Sequence, residues 1–183
     1  MQLWNSRCKL LALGVLSCLL ITLVGAVPVS GNQPRNEVAE RYSLVFAPAD
    51  PEAVYEGARV VYDVTVNGQK GMRIHAKFRV RYGLHVPCSL IAYFFYDDAA
   101  NNPLRSNDAK YRDKAGNVSA QANFTPAYDP AVYDDLQIFV PYSALNMAHG
   151  RNFDLKFYLA LYDKDGGRFF GKSGWYKFKL MVP

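Results

Sequence analysis

Gly71-Met72-Arg73-Ile74-His75-Ala76-Lys77-Phe78-Arg79-Val80-Arg81-Tyr82-Gly83 alternates apolar and basic side chains without interruption. Met72, Ile74, Ala76, Phe78, Val80 and Tyr82 fall on one side of an extended chain. Arg73, His75, Lys77, Arg79 and Arg81 fall on the other. Successive side chains of a strand point to opposite faces, so this period of two predicts a strand with one buried and one exposed face, and no helical reading fits it.

The same pattern continues on both sides. Upstream, RVVYDVTV (59–66) places Val60, Tyr62, Val64 and Val66 on one face, and the following NGQKG reads as a hairpin loop. That loop sets Asp63 beside His75 and Thr65 beside Arg73. Downstream, PCSLIAYFFYD is apolar on both faces, as in a central strand. NVSAQANF turns Val118, Ala120, Ala122 and Phe124 inward, and Leu136–Val140 forms another short strand. PYSALNMAHG allows one helical turn closed by Gly150. FDLKFYLALY turns Phe153, Leu155, Phe157, Leu159 and Leu161 inward. WYKFKLMV sets Tyr176, Phe178, Leu180 and Val182 opposite Lys177 and Lys179. Short strands at regular spacing with little helix predict an all-β fold, an antiparallel β-sandwich of about seven to eight strands. A composition that is 50% apolar and 14% aromatic agrees, since aromatic and β-branched residues favour strands.

The sandwich occupies residues 41–183 in this reading, and the chain ahead of it differs in kind. Arg7 and Lys9 precede an uncharged run from Leu10 to Val29, the pattern of an export signal. Val24-Gly25-Ala26 and Val29-Ser30-Gly31 both offer small residues for cleavage. The run also reaches the lower limit for a spanning helix, so residues 1–31 read as a signal peptide or an N-terminal membrane anchor. Val15-Leu16-Ser17-Cys18 resembles a lipobox, but the apolar run continues past Cys18. Residues 32–40 read as a linker. Removal of the signal takes two of the three cysteines with it and leaves Cys88 without a partner. The formal charge of +5 then falls by two, a mildly basic balance that names no ligand.

The succession GMRIHAKFRV, AYFFYD, KYRDKAGNVS, FTPAYD, FVPYSAL and LKFYLALYD resembles an uncharacterised β-sandwich module of bacterial exported and multidomain proteins, C2-like or immunoglobulin-like. The resemblance covers most of Val60 to Val182. It implies the fold and an accessory role, and supplies no activity and no site residues. The paired cysteines around a buried Trp that mark antibody domains are absent from the sequence.

No catalytic signature stands in the chain: there is no HExxH, no phosphate-binding GxxxxGK[ST], no GxSxG and no CxxC. Cys88 precedes an apolar strand, where an inert buried thiol is the common case. His75, His85 and His149 sit in no nucleophile motif. Asp163 and Asp165 in LYDKDGG are a weak candidate for calcium. One Asp-x-Asp supplies too few oxygens for that ion, and the same residues serve backbone turns. Tyr111, Tyr128, Tyr133, Tyr142 and Trp175 could make a stacking surface or pack the rims of the sandwich.

The most unusual feature is the basic row Arg73, His75, Lys77, Arg79 and Arg81, whose members are about 7 Å apart along a strand. Either acids on neighbouring strands answer it or an external anion does. These readings together predict an exported, non-catalytic binding or accessory module at the cell envelope. It needs no cofactor and does not bind nucleic acid, and an anionic surface or envelope protein is its partner on the basic row. Two alternatives remain open: an envelope enzyme with a site assembled from dispersed loop residues, and a calcium-dependent surface binder.

Overall fold

A computed structural model describes residues 49–181. The signal or anchor segment, the linker, the first residues of the predicted sandwich, Val182 and Pro183 lie outside the described residues. Eight strands follow one another: β1 (Glu52–Val66), β2 (Gln69–Arg81), β3 (Cys88–Tyr96), β4 (Ser119–Phe124), β5 (Ala131–Pro141), β6 (Asn152–Asp163), β7 (Arg168–Lys172) and β8 (Tyr176–Met181). All pair antiparallel, in a three-stranded sheet of order β1-β2-β5 and a five-stranded sheet of order β4-β3-β6-β7. β6 carries β3 along one edge; β8 and β7 share the other edge. The all-β expectation therefore holds, and no α-helix occurs among the described residues.

β2 buries the side that its alternation assigned. Met72, Ile74, Ala76 and Phe78 are fully buried. They meet Leu90, Phe94, Leu155, Phe157 and Leu159 of the other sheet in one core. Phe78 lies between Tyr133, stacked at 4.9 Å, and Phe124, edge-on at 5.5 Å. Each such fully buried Met, Ile, Leu or Phe side chain contributes about 1.5–3 kcal/mol of transfer free energy.

Several local readings are corrected. The loop between β1 and β2 is only Asn67-Gly68, with φ of 49° and 75°, so Gln69, Lys70 and Gly71 belong to the strand. Two left-handed residues in sequence make the tight hairpin turn whose twist matches its strands. The β1–β2 register then jumps between Val61 and Val64, where Asp63 has φ of 57°. This bulge moves the pairing, so His75 faces Arg59 and Arg73 faces Val61, in place of Asp63 and Thr65. Tyr62, at the bulge, is exposed rather than inward. Tyr82 also leaves the inward set: its φ of 56° ends β2 and turns the ring to solvent. β5 begins five residues earlier than the run Leu136–Val140. The helical turn is a short 3-10 turn, Tyr142–Leu145, closed by left-handed Asn146 and not by Gly150.

Two contacts depend on glycine. A Cβ on Gly71 would run into the backbone of Val140 and Pro141, where β2 meets β5. A Cβ on Gly171 would stand 2.8 Å from Cβ of Ala53, where β7 closes on β1. The connection from β3 to β4 is long and holds a second 3-10 turn, Ala109–Tyr111, capped by Asp108, whose carboxylate accepts from the N–H of Lys110 at 2.9 Å. Leu104 and Tyr111 tie this connection into the core.

Candidate functional site

The basic row lies on the outer face of the three-stranded sheet, and acids from both flanking strands answer its middle. Glu56 of β1 accepts from Arg79 at 2.9 Å and stands 3.4 Å from Lys77. A register jump in β5 brings Asp134 and Asp135 together beside Lys77 and His75. Asp134 pairs with Lys77 at 3.0 Å, and Asp135 contacts His75 Nδ1. Hydrogen bonds from Gln137 and then His75 hold the Asp135 carboxyl below its usual range. Asp63, expected beside His75, instead pairs with Lys70 at 3.0 Å. Arg73 and Arg81 have no ion-pair partner among the described residues. Arg73 lies across from Val61 and Phe139.

The carboxylate loop is committed to the backbone. Asp163 is buried, and its Oδ1 accepts from the N–H groups of Asp165 at 3.0 Å and Gly166 at 2.8 Å. Its Oδ2 stands 3.8 Å from Arg168 Nε. Asp165 is exposed. This is the turn chemistry that Asp and Gly supply in hairpins. Cys88 is likewise turned inward, its thiol donating to the carbonyl of Val86 at 3.3 Å. Burial first, then the charges of Asp163 and Asp165, pushes the thiol up to about 11. Among the five tyrosine and tryptophan positions flagged as a stacking surface, Tyr111 and Tyr142 are buried and Tyr133 packs on Phe78. Tyr128 and Trp175 are exposed.

A second face was not legible as a site. The outer side of the five-stranded sheet carries Tyr93 and Phe95 of β3, Tyr158 and Tyr162 of β6, and Phe169 of β7. Tyr158 stacks on Tyr93 at 5.3 Å and on Phe95 at 5.7 Å, and meets Trp175 edge-on at 5.2 Å. Tyr162 meets Phe169, its cross-strand partner, at 5.1 Å. The Nζ of Lys172 stands 4.1 Å from the Tyr158 ring centroid, a cation–π contact. Lys156 anchors the same patch from below: its Nζ lies 5.1 Å from the Trp175 ring and 3.4 Å from Asp97. Burial raises the phenols of Tyr93 and Tyr158 above their ordinary value.

Three hollows adjoin on and beside this face. One of about 240 Å³ is lined by Tyr93, Tyr158, Ala160, Phe169, Gly171 and Lys172. Phe169 also borders a second, of about 460 Å³, over Ile91, Ser119 and Tyr162. Lys110 and Gln121 connect that one to a third, of about 380 Å³, which reaches Asn67 and Asn123. The connection between β3 and β4 forms the rim. There the side chain of Asp113 fixes a tight turn, accepting from the N–H groups of Ala115 at 2.9 Å and Asn117 at 2.8 Å. Lys110, Arg112 and Lys114 alternate along this rim and border the second hollow. Three half-exposed rings and a basic rim can hold a ligand. Among the described residues, no group of three or more His, Cys, Asp or Glu side chains could bind a metal ion.

Comparison with known families finds no matching family model, and comparison with curated proteins finds no match.

Proposed function

We propose that this chain is an exported, non-catalytic binding module of the cell envelope, and that its ligand surface is the outer face of the five-stranded sheet. One observation carries the placement: Tyr93, Tyr158 and Phe169 line an open hollow on a sheet face that faces away from the shared core. Rings left on such a face offer apolar contact with polar tips, the composition of a recognition surface. The uncharged run from Leu10 to Val29 behind Arg7 and Lys9 supports export. The engagement of Asp163 by its own turn and the raised thiol of Cys88 support binding over chemistry.

A second reading keeps the contact on the basic row and rests on Arg73 and Arg81, the members without an acidic partner among the described residues. Affinity electrophoresis of the full-length chain in gels containing neutral or acidic polysaccharides separates the two. Tyr93→Ala with Phe169→Ala should weaken retardation about tenfold, since each aromatic contact is worth about 0.5–1.5 kcal/mol. Arg73→Gln with Arg81→Gln should leave it unchanged. The opposite outcome assigns the contact to the basic row and overturns the placement.

A further inference from the structure

The ligand class of that same face follows from its charge, and this inference rests on the reading just proposed. Lys110, Arg112, Lys114, Lys164 and Lys172 all border the first two hollows. None of the five stands within ion-pair distance of an acid among the described residues. The basic row on the other sheet is different, because Glu56, Asp134 and Asp135 neutralise its middle. The acid that lines the second hollow is Asp113; its carboxylate accepts from Ala115 and Asn117, including Asn117 Nδ2 at 2.9 Å, and keeps its charge, so one acid stands there against the four cations Lys110, Arg112, Lys114 and Lys164. Like charges gathered on a concave surface focus the field and raise the local concentration of an opposite charge.

The lining combines three kinds of group. Rings are supplied by Tyr93, Tyr158 and Phe169, cations by the five residues above, and neutral polar groups by Gln121, Asn123 and Ser119. A polymer that offers apolar C–H faces, carboxylates and hydroxyls in repetition matches all three, and adjoining hollows suit successive units of one chain. We infer that the trough over β3, β4, β6 and β7 binds an acidic polysaccharide, with sugar rings against Tyr93 and Phe169 and carboxylates on Lys110, Arg112, Lys114, Lys164 and Lys172. A flat anionic bilayer would reach exposed Phe169 but makes poor contact with the half-buried Tyr93 and Tyr158. An acidic polypeptide supplies the charge without the sugar ring.

The test is affinity electrophoresis of the full-length chain against polygalacturonate, its fully methyl-esterified form and polyglutamate, together with sedimentation with vesicles containing phosphatidylglycerol. Polygalacturonate should bind, with retardation that weakens as salt rises. Lys110→Gln with Lys114→Gln and Lys164→Gln should weaken binding about tenfold, and Phe169→Ala alone should weaken it by a smaller factor, with the circular dichroism unchanged. Because these positions are exposed, the variants fold and the comparison remains interpretable. Equal binding of polyglutamate and polygalacturonate overturns the inference, as does binding confined to vesicles. Retention of the neutral ester that Phe169→Ala abolishes and the lysine changes spare overturns the acidic class while leaving the binding face in place. Loss of polygalacturonate binding only on Arg73→Gln with Arg81→Gln overturns both. Failure to bind any of the four probes overturns the inference.

Discussion

Asp163 shows how a single side chain can be read two ways. In the sequence it stands in an Asp-x-Asp that a cation could use; in the fold its carboxylate is held by two backbone N–H groups of its own turn. Nothing local in LYDKDGG distinguishes these uses, because turns and calcium loops draw on the same residues. Asp163→Ala should therefore cost about 1–3 kcal/mol in urea unfolding, the loss of two hydrogen bonds to a charged acceptor, and calcium should not raise the melting temperature of the parent chain. Cys88 carries a second residue-scale consequence. Its thiol is neutral in the fold and pushed up to about 11 from an ordinary value of 9.0. A group whose folded value is raised stabilises the fold fully below its unfolded value and loses that contribution as pH rises through the folded one. The unfolding free energy should thus fall between about pH 9 and pH 11, and Cys88→Ala should flatten that fall. Burial also raises the Tyr55 phenol from its ordinary 10.0, which adds to the slope from about pH 10 upward. An alkaline decline unchanged by Cys88→Ala would show that the thiol is not its source.

Single elements were legible where the signal was local. The alternation of Met72 to Val80 fixes which side of β2 is buried, and the same holds for β4, β6 and β8. Register was not legible, because it is set across strands. The bulge at Tyr62 and Asp63 changes what faces His75, and the crowding of Asp134 and Asp135 depends on pairing with β2 sixty residues away, as the His75–Asp135 contact shows. β7 escaped notice because its five residues carry too short a pattern and its Gly171 interrupts it. The aromatic face escaped for a related reason. PCSLIAYFFYD announces a central strand, which β3 is, but apolar residues on both faces do not say that one face opens outward. Two element-scale outcomes follow. Phe78→Ala removes the ring that joins Tyr133 and Phe124 and should cost about 3–5 kcal/mol. Gly68→Ala places a side chain at φ of 75° and should cost about 1–2 kcal/mol, both measured by denaturant unfolding.

At the scale of the whole domain, charge is divided between two faces. The outer side of the three-stranded sheet holds a basic row whose middle its neighbours answer. The outer side of the five-stranded sheet holds rings beside cations without acidic partners among the described residues. The sequence displays the first division plainly, because all five members are adjacent in one strand. It hides the second, since Lys110, Lys164 and Lys172 come from three separate segments. Cys88 is a buried free cysteine and makes no disulfide among the described residues, so the melting temperature of dilute protein should be the same with and without reductant. The proposed working surface is the rimmed aromatic face. Hydrogen–deuterium exchange of the full-length chain, with and without polygalacturonate, addresses it most directly. Added protection should concentrate in residues 108–118 and 158–172 and leave residues 73–81 and 132–137 unchanged. Protection confined to 73–81 and 132–137 would assign the working surface to the basic row instead.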